Sequence, residues 1–235
     1  MTPPPVFRLV PGLGLDEAAW RPTLEALPPA WRRDLDVALL PGYGERATRA
    51  ADLRPAALAE VLLDRWCPSD GTVVLAGHSA SCQIVAEAAR RRPDRVAGLV
   101  LVGPTTDPRA RSWSSLARRW LATARHESVS ELPTLVRQYA RTGLWTMARA
   151  MDAARRDDVR ESVGGSRCPV LVVRGPRDRI CPADWAAALV ELAGCPAGDR
   201  PSRSVTLTEG AHMVPLTHGP LVARELERFG AHGAW

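Results

Sequence analysis

The chain has 235 residues, 46% hydrophobic and 24% charged, which excludes a disordered or fibrous protein and fits one globular domain, or one carrying an inserted lobe. At this size roughly 70 to 75% of the unfolded surface is buried on folding, so the core needs no metal or disulfide staples. The net charge is +5, from 31 basic residues that are all Arg and 26 acids interleaved with them, and no long basic run or nucleic-acid motif points to a nucleic-acid partner.

Short β-rich runs alternate with Ala- and Leu-rich stretches, the pattern of a parallel sheet with crossover helices and hence of the α/β class. In chain order the pattern predicts a strand over Val6–Val10, a helix over Asp16–Leu27, a strand over Asp36–Leu40 and a helix over Pro55–Trp66, where Pro55 suits a first turn. A strand over Thr72–Ala76, a helix over Ala80–Arg92 stopped by Pro93, and a strand over Val96–Val102 follow. The beat resumes with a strand over Val170–Arg174, a helix over Ala183–Leu192, a strand over Ser204–Leu207 and a helix over Leu216–Phe229. Most of these strands are continuous apolar runs, as strands covered on both faces require.

Between Asp107 and Cys168 no strand pattern occurs, and helical spacing over Trp113–Arg125, Leu132–Arg141 and Leu144–Arg156 marks residues 108–166 as a helical insertion. Residues 1–107 and 167–235 are then the core. The insertion holds 11 Arg against 6 acids, an excess equal to the net charge of the whole chain. That excess is either a solvated face or a device that steers an anionic or carrier-protein-linked substrate. The longest clear apolar run, Val96–Pro104, contains two glycines and falls well short of the ~18 residues of a membrane span, so no membrane insertion is expected. Met1-Thr2-Pro3-Pro4-Pro5 lacks the basic and apolar regions of a secretory signal, and a cytoplasmic location is expected. The cysteines, Cys67, Cys82, Cys168, Cys181 and Cys195, are odd in number with no C-x-x-C pair or nearby His at ligand spacing, so neither zinc nor a disulfide framework is expected.

Gly77-His78-Ser79-Ala80-Ser81 ends a strand and opens a helix, the setting of a nucleophile elbow, and makes Ser79 the candidate nucleophile. The motif departs from G-x-S-x-G at its last position, where the small Ser81 stands. A hydroxyl needs a base, and of five histidines only His212, in Gly210-Ala211-His212-Met213, follows directly on the last strand. His78 sits inside the elbow, His126 in the insertion, His218 at the final helix and His232 in the tail. An imidazole needs an acid to fix its tautomer; Asp178, in the turn Gly175-Pro176-Arg177-Asp178, is first choice and Asp107 the alternative. Gly12 and Gly14 in Pro11-Gly12-Leu13-Gly14 let backbone approach a substrate, and the loop lacks the third Gly of a dinucleotide fingerprint.

The order Ser79, Asp178, His212, with Pro11-Gly12-Leu13-Gly14-Leu15, Trp20 and Leu40-Pro41-Gly42-Tyr43-Gly44, resembles the α/β-hydrolase superfamily over nearly the whole chain. Within it the chain resembles small lidded carboxylesterases such as pimeloyl-carrier-protein methyl esterases. Pro11 stands where that family usually has His, and its usual first two strands have no counterpart here, which leaves about six. The resemblance implies a mostly parallel sheet with a helical lid over 108–166 and backbone N–H groups of Leu13 and Ala80 as the oxyanion hole. It implies Trp113, Trp120, Tyr139, Trp145 and Met147 as residues of the inner lid face, serving either lid packing or substrate contact. The expected reaction is cleavage of a small-molecule ester or thioester through an acyl-enzyme, without metal or organic cofactor. A lyase, cyclase or acyltransferase with the same residues, and a hydrolase-like receptor, are the alternatives.

Overall fold

The computed structural model describes residues 6–127, 129–193 and 201–231, and so leaves Cys195 and His232 outside. Strand β1 (Phe7–Val10) leads through a 3-10 turn (Glu17–Ala19) to α1 (Arg21–Ala26) and α2 (Pro29–Arg32). Strand β2 (Leu35–Val37) precedes the two-residue strands β3 (Leu40–Pro41) and β4 (Gly44–Glu45), which pair with each other apart from the main sheet. Next come α3 (Pro55–Trp66), β5 (Val73–His78), α4 (Ser81–Arg91) and β6 (Val96–Val102). A helical stretch follows, made of α5 (Trp113–Ala124), α6 (Leu132–Thr142), α7 (Leu144–Arg156) and α8 (Val159–Gly164). The chain ends with β7 (Val170–Arg174), α9 (Ala183–Leu192), β8 (Arg203–Thr206), α10 (Val214–Thr217) and α11 (Gly219–Ala231).

The main sheet has the order β2-β1-β5-β6-β7-β8 with every described neighbour parallel. Its strands alternate sides with the period of two that a pleat dictates. Leu75, Leu99, Leu101, Val170 and Val172 face the core under α3, α4 and α9, whereas Val74, Ala76, Val100, Val102, Leu171 and Val173 face the one under α11. Both faces are covered, which is why β5 and β7 are buried at every residue.

This topology positions a site. From β1 the chain crosses to the edge strand β2, then returns to β5 on the other side of β1 and runs on through β6, β7 and β8. The connections therefore part between β1 and β5, leaving a crevice at the carboxyl ends where ligands bind in open α/β sheets. Val10 pairs with Gly77, so the loop of Gly12 and Leu13 comes to lie beside Ser79. Buried contacts fasten the helical stretch to this frame: Gln83 Nε2 donates to the Ala154 carbonyl at 2.8 Å and to Asp157 at 2.9 Å, and Ser162 donates to Glu87 at 2.8 Å. Among the described residues, no helix is long and apolar enough to cross a membrane.

Candidate active site

Ser79 sits at φ 61°, a left-handed conformation disfavoured for any residue with a side chain. Such a backbone costs on the order of 1–3 kcal/mol and persists only where its surroundings over-determine it. Two neighbours do so here. A Cβ on Gly77 would meet Val85 Cγ2 at 2.8 Å and the Cys82 amide nitrogen at 2.9 Å, so only glycine lets strand and helix approach this closely. The fully buried Ser81 accepts from the His78 amide at 2.8 Å, and its hydroxyl faces the carbonyls of His78 at 2.8 Å and Val10 at 3.0 Å. The serine that replaces the last glycine of the motif is thus the polar pin of the turn.

The three predicted side chains meet. His212 Nδ1 lies 2.8 Å from Asp178 Oδ2, and His212 Nε2 lies 2.8 Å from Ser79 Oγ. A carboxylate only accepts, so Nδ1 carries the proton and Nε2 is free to accept from the serine hydroxyl. Asp178 is 1% exposed, and its other oxygen accepts from the amides of Ile180 at 2.8 Å and Cys181 at 3.0 Å. Burial alone raises its pKa, but the charge and hydrogen bond of His212 with the two amides hold it below the usual carboxylate range. Burial pulls His212 down, and the charge and hydrogen bond of Asp178, helped by Glu127, more than offset this and hold it above an ordinary histidine. The sequence pattern does not single out Gly103, which makes room for the pair: at φ 56°, a Cβ there would lie 3.1 Å from both Asp178 Oδ2 and His212 Nδ1. Its only signal is a glycine directly after an apolar strand.

Asp107, the alternative acid, is committed elsewhere. Its buried carboxylate is bound by Arg109 and Arg119, each at 2.7 Å. His78 is engaged too, since its Nε2–H donates to the His212 carbonyl at 3.0 Å. Burial first, then the charge of His212, pushes its pKa down to about 3, so this imidazole is neutral.

A cavity of about 450 Å³ opens beside Ser79, walled by Gly12, Leu13, Thr105, Thr106, Trp113, Trp120, Tyr139, Met147, Ile180 and other largely apolar residues. A smaller cavity of about 170 Å³ adjoins it, sharing His212, Met213 and Tyr139 as lining. Leu13 lines the larger one, and neither the Leu13 nor the Ala80 amide N–H has a backbone acceptor among the described residues. Gly14 faces Tyr139 and Met147, and its carbonyl accepts from Thr142. Trp145 departs from expectation. It is 69% exposed and lines a separate surface groove with Ala51, Arg149 and Asp152, because it lies roughly 200° around α7 from Met147. Among the described residues no group of three or more His, Cys, Asp or Glu side chains converges as a metal site.

No curated protein matches the sequence. Solved structures do, at low identity. A hydrolase from Oleispira antarctica superposes with a TM-score of 0.74 at 17% identity over 97% of this chain and 91% of that one. An enol-lactonase from Burkholderia xenovorans gives 0.70 at 20% identity over 96% of this chain and 91% of its own. An esterase from Exiguobacterium antarcticum gives 0.70 at 15% identity, again over 96% and 91%. These likenesses establish the fold. The model of the alpha/beta hydrolase family matches residues 9–225, nearly the whole chain, and with the six-stranded parallel sheet and the elbow at Ser79 it makes this protein a member of that family.

Proposed function

We propose that the protein is a serine hydrolase that cleaves a small-molecule ester or thioester with a neutral, apolar acyl group. The observation that carries this reading is the hydrogen-bonded series Ser79–His212–Asp178 at the mouth of an apolar cavity. Ser79 Oγ attacks the substrate carbonyl as His212 Nε2 takes the hydroxyl proton, and Asp178 steadies the imidazolium that forms. The tetrahedral oxyanion is held by the N–H groups of Leu13 and Ala80; such preorganised donors contribute roughly 3 to 4 kcal/mol each. His212 then protonates the departing alcohol or thiol, which leaves the acyl group on Ser79. A water, deprotonated by the same imidazole, attacks this acyl-enzyme, and collapse of the second oxyanion frees the acid and returns the proton to Ser79.

Residues 108–166 act as the lid. Six of their eleven arginines form ion pairs two to a carboxylate: Arg109 and Arg119 bind Asp107, Arg111 and Arg160 bind Asp158, and Arg155 and Arg156 bind Asp152. Arg119, the one guanidinium on the cavity wall, shares the Asp107 carboxylate. The apolar wall of the cavity, with Arg119 already engaged by Asp107, supports an uncharged acyl group over an anionic one. Hydrolysis of p-nitrophenyl esters by the wild-type chain and by Ser79→Ala tests the assignment: the variant folds and loses turnover, and a variant as fast as wild type refutes it.

A further inference from the structure

The peptide that carries His212 is held from two sides. His78 donates to its carbonyl, as described above, while its amide N–H donates to Glu127 Oε1 at 2.6 Å, and the next amide, of Met213, donates to the same oxygen at 2.9 Å. Glu127 belongs to a different part of the chain. It follows α5, and its own amide caps that helix by donating to the Ala124 carbonyl at 3.1 Å. The last turn of α5 also reaches the acid loop, where the Arg179 amide donates to Thr123 Oγ1 at 3.0 Å. One end of one lid helix thus grips both loops that bring Asp178 and His212 to Ser79.

We propose that Glu127 is a positioning residue: its carboxylate, carried by the lid, holds the His212 backbone where the imidazole reaches Ser79 and Asp178 together, so the triad is complete only when the lid is seated. A carboxylate accepting two amide donors is suited to this, since charge-assisted hydrogen bonds are shorter and about twice as strong as neutral ones. A lid that moved without this tie would leave two amides unpaired at the edge of the smaller cavity, which Glu127 lines. The proposal rests on the hydrolase reading given above.

The charge of Glu127 gives the test a readout that mere structural damage does not move. The groups facing His212 are Asp178, Glu127 and His78, with Tyr139 beside Glu127. His78 stays neutral, and Tyr139 is pushed up by burial first and then by Glu127, so neither titrates where His212 does. Removing the charge of Glu127 therefore lowers the pKa of His212 and moves the acid limb of kcat/KM to lower pH.

The experiment measures p-nitrophenyl butyrate hydrolysis against pH for wild type, Glu127→Ala and Glu127→Gln, with thermal melts. It also maps fluorophosphonate labelling of Ser79 in wild type. Glu127→Ala is expected to lose roughly 10- to 100-fold in kcat at the plateau with KM little changed, the scale seen when a partner that orients a functional side chain is removed. Glu127→Gln keeps an oxygen that accepts both amides and regains most of that loss. In both variants the acid limb falls below that of wild type. Glu127→Ala at the wild-type kcat overturns the proposal, as do two equally slow variants with an unmoved limb. If Glu127→Ala does not fold, the limb of Glu127→Gln decides. A wild-type chain that hydrolyses the ester without labelling at Ser79 refutes the hydrolase reading itself, whereas normal labelling with unaffected Glu127 variants removes only the role of Glu127.

Discussion

Restoring the glycine of the G-x-S-x-G motif by Ser81→Gly is expected to damage this protein. The Ser81 hydroxyl satisfies the His78 amide at 2.8 Å and meets the Val10 carbonyl at 3.0 Å, in a position with no solvent exposure. Without it the His78 N–H keeps only its ladder contact with the Val10 carbonyl, across the pairing of Val10 with Gly77, and the lost side-chain hydrogen bond is worth about 0.5–1.5 kcal/mol. Ser81 is also the first residue of α4, where glycine adds backbone entropy to the unfolded chain worth roughly 0.5–1 kcal/mol. For a chain of this size each kcal/mol moves Tm by about 2–4 °C, so Ser81→Gly should melt roughly 2 to 10 °C below wild type. Ser81→Ala, which loses only the hydroxyl, should fall between the two. Thermal melts at neutral pH measure the series, and Ser79 labelling well below Tm reports whether the elbow still forms. A glycine variant as stable as wild type, or more so, refutes the reasoning that Ser81 pins the turn.

Three further outcomes are expected. Because Asp178 and Glu127 hold the pKa of His212 above the ordinary value, kcat/KM should fall with decreasing pH through a limb above the usual histidine range; Asp178→Asn should lower that limb and reduce kcat by about 10⁴-fold. Asp157 has its pKa raised to about 6, by burial first and then, against the hydrogen bond from Gln83, by the charges of Glu87, Asp158 and Glu161. Its folded value lies above its unfolded one, so stability declines as pH rises from the ordinary carboxylate range through about 6; Asp157→Asn should raise Tm near pH 8, leave it unchanged near pH 4, and flatten the slope between. Across p-nitrophenyl esters of growing chain length, kcat/KM should rise about 4-fold per methylene until the cavity is full, since each buried CH₂ is worth about 0.8 kcal/mol. A series that declines from acetate onward contradicts an acyl-binding role for the cavity.

Much of this architecture is legible in the sequence, for reasons the structure makes plain. Strands buried on both faces have to be apolar throughout, and Val96–Val102 and Val170–Arg174 fall where the runs of Val and Leu place them. Ser79, Asp178 and His212 are found because each lies just past a strand. What escapes is short or set by neighbours. The pair β3 and β4 has two residues per strand, and α2 and α8 span four and six, too few for a period to declare itself. Trp145 shows the limit of helical spacing, which identifies α7 but not the side that meets the core: Met147 and Met151 line the cavity and Trp145 does not. Glu127 leaves no pattern because its partners are backbone amides, which every residue but proline possesses.

Whether Ser79 is an activated nucleophile is decided by the mass of the intact protein after exposure to a fluorophosphonate, with the modified peptide identified. A single adduct is expected on Ser79, absent from Ser79→Ala and formed far more slowly in His212→Ala. A properly folded wild-type chain that takes up no label, or takes it up on another residue, would contradict the assignment of Ser79, His212 and Asp178 as one catalytic unit.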